Sequence, residues 1–192
     1  MAADSPRSSR GRPAAAACWQ IACCNRQRRL PVRQADLRRL LTAALTELGA
    51  EAADLSVAIV NDAEMAELHE RWLGVPGPTD VLSFDLASPP EPTVAGGHHR
   101  LRITGEIIAS GETAVREADR YHWRPDDELA YYLIHGLLHL CGFDDRDPRS
   151  RQAMRRRERR LMTAIGLPPP PRRIRPESPQ HQAAVPSTLL AR

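Results

Sequence analysis

Apolar positions along this chain change their spacing from segment to segment, and each spacing predicts an element. Cys18 to Cys24 (CWQIACC) is apolar enough for a first strand. Between Val32 and Leu48 the apolar residues Leu37, Leu40, Leu41, Ala44, Leu45 and Leu48 recur at the spacing of one helical face, and Gly49 follows as a C-cap. Leu55 to Val60 (LSVAIV) reads as a buried strand. Asn61 caps a helix that runs to about Trp72, with Glu64 at the capping-box position. Gly74, Pro76, Gly77 and Pro78 form a loop, Val81 to Phe84 a short strand, and Pro89 to His99 a second loop. A strand over 101–110 and a helix from about Glu112 to His122 come next. Pro125 opens another helix, with Asp126, Asp127 and Glu128 at its positive end. A last helix spans about Asp147 to Ile165. Strands and helices mix without strict alternation, which predicts one α+β domain over residues 17–166: a small mixed sheet flanked by helices.

Both ends differ from that pattern. Residues 1–16 are small, polar and basic and lack the apolar stretch of a secretory signal, so a disordered tail is expected. Residues 167–192 are proline-rich and expected to stay extended. No apolar run approaches the ~18 residues of a membrane span. The 192 residues carry a net charge of +3, yet every basic residue except histidine is arginine. Arginine's planar fork matches phosphate, so this surface is compatible with nucleic acid. Cys18, Cys23, Cys24 and Cys141 form neither a CxxC pair nor a zinc-ribbon pattern, and read as reduced thiols.

The chemistry concentrates in HGLLHLCGFDD, His135 to Asp145. Histidines four apart project from one side of a helix and can share a divalent ion. A zinc site takes at least three protein ligands, so the chain must return. Gly142 suits the left-handed turn that ends a helix, and Asp145 can come back toward His135 and His139 from the turn beyond; Asp144 is a competing third ligand, one residue off register. The spacing parallels that of zinc proteases, but Gly136 stands where they carry the glutamate that serves as general base, so peptide hydrolysis by that route is not expected. The competing reading is a pair of buried, hydrogen-bonded core histidines. His69, His98, His99 and His122 are expected at the surface.

This motif resembles that of the YbeY family of metal-dependent endoribonucleases, H-G-x-L-H-L-x-G-Y-D-H. PTDVLSF (residues 78–84) matches a second family segment, and Gly105-Glu106-Ile107 and LPVRQADLRRLL resemble two more. The resemblance covers about residues 17–165. It implies a mixed sheet flanked by helices, and one zinc ion held by His135, His139 and Asp145. It also implies cleavage of single-stranded RNA in ribosomal RNA maturation, at the 3′ end of the small-subunit RNA, and in ribosome quality control, with the small subunit as partner, in the cytoplasm. Where the family has histidine this chain has Asp145, whose charge makes bound water less acidic and favours a harder divalent metal such as manganese. The family's Tyr-Arg pair falls on Trp72 and Leu73; the nearest arginine is Arg71.

An ion at this place can act on a phosphodiester oxygen or a water, with Arg71 neutralising charge in the transition state. Glu106 is a candidate base only if its strand faces the cleft. Arg151, Arg155, Arg156, Arg157, Arg159 and Arg160 crowd the last helix. They suit an RNA backbone, with Arg155, Arg156 and Arg159 as the expected contacts, or else form a solvated face partly balanced by Glu158. Three Trp, three Tyr and two Phe are few for base stacking. The alternative to a nuclease is a ribosome-assembly factor that binds RNA on the same fold without cleaving it.

Overall fold

The computed structural model describes residues 18–87 and 101–171. The expected tail over 1–16, residues 172–192 of the tail expected over 167–192, and the whole Pro89–His99 loop with His98 and His99 lie outside the described residues. Among the described residues nine elements follow in chain order: β1 (Cys18–Asn25), α1 (Gln34–Leu48), β2 (Ala52–Val60), α2 (Asp62–Leu73), β3 (Val81–Asp85), β4 (Arg102–Ser110), α3 (Gly111–Arg120), α4 (Pro125–Leu140) and α5 (Pro148–Ala164). The sheet order is β1-β2-β4-β3, with β1, β2 and β4 parallel and β3 antiparallel on β4. This is the mixed sheet flanked by helices that the pattern predicts.

β2 begins three residues before the apolar run that announces it. Ala52 already pairs with Cys18 on one side and Arg102 on the other. In this first half Asp54 and Ser56 alternate with buried Ala53, Leu55 and Val57, so only one side chain in two is apolar. The second half is buried on both faces and reads as a continuous run.

Two cores result. On one face Leu55, Val57, Ile59, Ile103, Ile107 and Val81 pack with Leu37, Leu41 and Leu45 of α1 and with α4. On the other, Ala58, Val60, Leu82, Phe84 and Ile108 pack beneath Met65 of α2. α4 is the central helix, buried without interruption from Glu128 to Leu140, as expected of a helix apolar all round. It lies tight on the sheet because Gly136 has no side chain: a Cβ there would sit 3.0 Å from Ile107 Cγ2 and 3.3 Å from Val81 Cγ2. α5 closes over α4, adding Met154, Leu161 and Met162 to the same core.

One surface expectation is corrected. His69 is buried, because the loop after α2 folds back over it and His69 Nδ1 lies 2.8 Å from the Gly77 carbonyl oxygen. His122 is exposed, as expected.

Candidate metal centre

The site is built by the end of α4. The helix closes in a Schellman turn: the Phe143 N–H bonds the Leu138 carbonyl (3.1 Å) and the Gly142 N–H bonds the His139 carbonyl (2.9 Å), with Gly142 at φ 85°. That turn does two things for the histidines. It reverses the chain so that Asp145 returns over them, and it points the Phe143 carbonyl oxygen at His139 Nδ1, 2.9 Å away.

His135 and His139 stand one turn apart, with their Nε2 atoms 3.1 Å from each other. The Asp145 carboxylate lies 4.0 Å from each, through Oδ2 to His135 and Oδ1 to His139. All three ligand atoms fall within 4.8 Å of one another, a grouping that could hold a metal ion. A tetrahedral ion with bonds of about 2.0–2.2 Å spaces its ligands about 3.3–3.6 Å apart, and the observed distances bracket that range. Asp144 is occupied otherwise: its Oδ1 accepts from the Asp145 and Arg146 N–H groups, and its Oδ2 from Arg146 Nε at 2.7 Å.

The donor chemistry fits a cation. The Phe143 carbonyl can only accept, so it fixes the proton of His139 on Nδ1. The Glu158 carboxylate, 2.6 Å from His135 Nδ1, does the same for His135. With its proton held on Nδ1, each ring can present its Nε2 lone pair, and the two Nε2 atoms face each other at 3.1 Å with a carboxylate beside them. Such a cluster attracts a positive charge. Burial, and then the neighbouring His135, push the His139 imidazole down to about 4, so near neutral pH it is an uncharged ligand.

Glu158 is the residue that sequence reasoning missed. Expected to balance arginines on a solvated face, it is 2 % exposed. The signal was present: Met154, Glu158, Leu161 and Met162 share the buried side of α5, so the acid sits where a hydrophobic residue belongs. Tyr131 Oη lies 3.4 Å from both of its oxygens.

The other expected site residues stand elsewhere. Arg71 is exposed near the end of α2, on the sheet face opposite α4, with its guanidinium 5.6 Å from the centre of the Trp72 ring. Glu106 alternates with the residues that face α4, so its side chain leaves the sheet on the α2 side, away from the histidines. Arg155, Arg156 and Arg159 are exposed on α5, and Arg159 donates to the Pro170 carbonyl at 3.1 Å.

The family model described as Endoribonuclease YbeY matches residues 22–166. The Endoribonuclease YbeY of Moorella thermoacetica is 38 % identical over 151 residues, covering 74 % of this chain and 95 % of that protein. That of Pelotomaculum thermopropionicum is 37 % identical over 148 residues, with 74 % and 95 % covered. The solution structure of a Thermotoga maritima protein superposes with a TM-score of 0.50 at 21 % identity, over 76 % of this chain and 89 % of that one, and supports the same fold. With its signature segment folded into a histidine–aspartate cluster and most of its length matched, the chain belongs to the Endoribonuclease YbeY family.

Proposed function

We propose that the protein is a metal-dependent endoribonuclease that cleaves single-stranded RNA, with one zinc ion held by His135, His139 and Asp145. The observation that carries this reading is the convergence of two Nε2 lone pairs and a carboxylate at the end of α4, each imidazole oriented through its Nδ1. The relatives' name supplies the reaction. A divalent ion supplies Lewis acidity toward a phosphodiester and toward water. The chain's own residues orient the ligands and exclude competing chemistry. Gly136 carries no carboxylate, and its position is filled by the contact with Ile107 and Val81, so the protease base has no place here.

The substrate we assign is ribosomal RNA, in maturation of the small-subunit RNA 3′ end and in quality control of ribosomes, with the small subunit as partner in the cytoplasm. Among the described residues no helix is long and apolar enough to cross a membrane. The exposed Arg155 and Arg156 suit the RNA backbone, and Arg71, exposed on its own face, is assigned to a phosphate of the bound strand. Manganese in place of zinc is the second choice of ion, favoured by the oxygen ligand from Asp145.

The test is cleavage of a single-stranded ribosomal RNA fragment by purified protein with and without added zinc or manganese. Cleavage that disappears in His135→Ala supports the reading. RNA binding without cleavage, under either metal, replaces it with the binding-factor alternative.

A further inference from the structure

α5 contributes more to the centre than a basic outer face. Two of its residues, Arg151 and Glu158, lie seven apart and so share one side of the helix. Both point at the ligand set. Glu158 Oε1 accepts a hydrogen bond from His135 Nδ1–H at 2.6 Å. Arg151 Nε donates to the backbone carbonyl of Asp145 at 3.0 Å, and its terminal nitrogen to that of Arg146 at 3.3 Å, pinning the loop that carries the third ligand.

Glu158 is unusual in its company. It is buried in a helix that carries arginines at 155, 156, 157, 159 and 160, yet its polar contacts are Tyr131 Oη and His135 Nδ1, neither of them a guanidinium. A buried carboxylate is costly and is normally paired, and the group within pairing distance here is the His135 imidazole. One imidazole away lies the cluster that could hold a divalent ion. Two carboxylates, Asp145 directly and Glu158 through His135, match the two charges of such an ion.

We infer that α5 is the positioning element of the metal centre: Glu158 fixes the tautomer and direction of His135, Arg151 holds the Asp145 loop, and together they set the affinity for the ion. This rests on the metal-centre reading above. Carboxylates behind metal-bound histidines orient the ring and raise its basicity, and their loss typically weakens binding about 10–100-fold.

The experiment is chelator competition with Zn²⁺ alone on the full chain, comparing wild type, Glu158→Gln and Glu158→Leu. The absorption of the Co²⁺ form and the melting temperature of the ion-free form are recorded alongside. Gln keeps an acceptor for Nδ1–H but removes the charge; Leu removes both. The expected result is an affinity loss of about 10–100-fold in Glu158→Gln and a larger one in Glu158→Leu. The Co²⁺ spectrum should change, and the melting temperature of ion-free Glu158→Gln should not fall, because a buried charge has been removed. Affinity within twofold of wild type in both variants would make Glu158 a packing residue and overturn the inference while leaving the metal centre intact. Affinity lost only in step with the ion-free melting temperature would overturn it too. A wild type that binds neither Zn²⁺ nor Co²⁺ would remove the metal centre itself, and the inference with it.

Discussion

His139 sits in an apolar helix beside a second imidazole, and both circumstances penalise its charged form. Its ordinary value of 6.5 falls to about 4 in the folded chain. Between those values the unfolded chain binds more protons than the folded one, so stability rises with pH across that window and is lost as pH falls through it. Urea midpoints of the ion-free protein should therefore decline from about pH 6.5 toward pH 4, and His139→Gln should flatten the decline. Ion affinity of the folded chain should hold down to about pH 4 and fall only there, where a proton on Nε2 begins to compete with the ion. A midpoint that is flat across this range would contradict the burial and crowding assigned to His139. Gly136 gives a second prediction at this scale. In Gly136→Glu a carboxylate would have to enter the 3.0 Å gap beside Ile107. Burying it there costs several kcal/mol, so the expected outcome is a sharp fall in soluble yield and melting temperature, with no peptidase activity gained.

Elements of this fold are joined by a few polar knots as well as by the cores. Asp62, at the start of α2, accepts from Ser110 Oγ (2.5 Å), Thr113 Oγ1 (2.7 Å) and Arg116 (2.6 Å), and its backbone N–H donates to Glu112 (2.9 Å). Partial burial works to raise its carboxyl, but these hydrogen bonds override it and hold Asp62 below the usual carboxylate range. Asp62→Ala should cost about 1–3 kcal/mol of stability by denaturant titration. Metal content should be unchanged, because Asp62 lines a groove with Pro125, and His135 lies ten residues, about 15 Å, further along α4. Which features the sequence discloses follows from their range. The helices are legible because one apolar face repeats over many turns, and so is the meeting of His135, His139 and Asp145, because an i, i+4 pair followed by a glycine turn is a local construction. The first half of β2 is not, since Asp54 and Ser56 break its apolar run at a place where only one face is covered. His69 is not, since its burial depends on a loop eight residues away folding back. The burial of Glu158 can be read from its place on the apolar side of α5, but its partner cannot, since it meets His135 across 23 residues of sequence.

At the scale of the whole molecule, the buried α4 presents its ligands while α5 turns arginines outward beside them. Arg155 and Arg156 are exposed, whereas Arg159 is engaged by Pro170. Neutralising Arg155 and Arg156 together should weaken RNA binding across sequences and reduce the slope of log affinity against log salt by about 1.4, measured by anisotropy with a labelled single strand. An unchanged slope would place the RNA on another face. The account depends most on the ligand set that α4 and its turn bring together, and elemental analysis of purified protein after exposure to zinc tests it most directly, with wild type beside Asp145→Ala and Asp144→Ala. One ion per chain in wild type and in Asp144→Ala, lost in Asp145→Ala, is the predicted result. No ion in wild type, or an ion kept by Asp145→Ala and lost by Asp144→Ala, would contradict it.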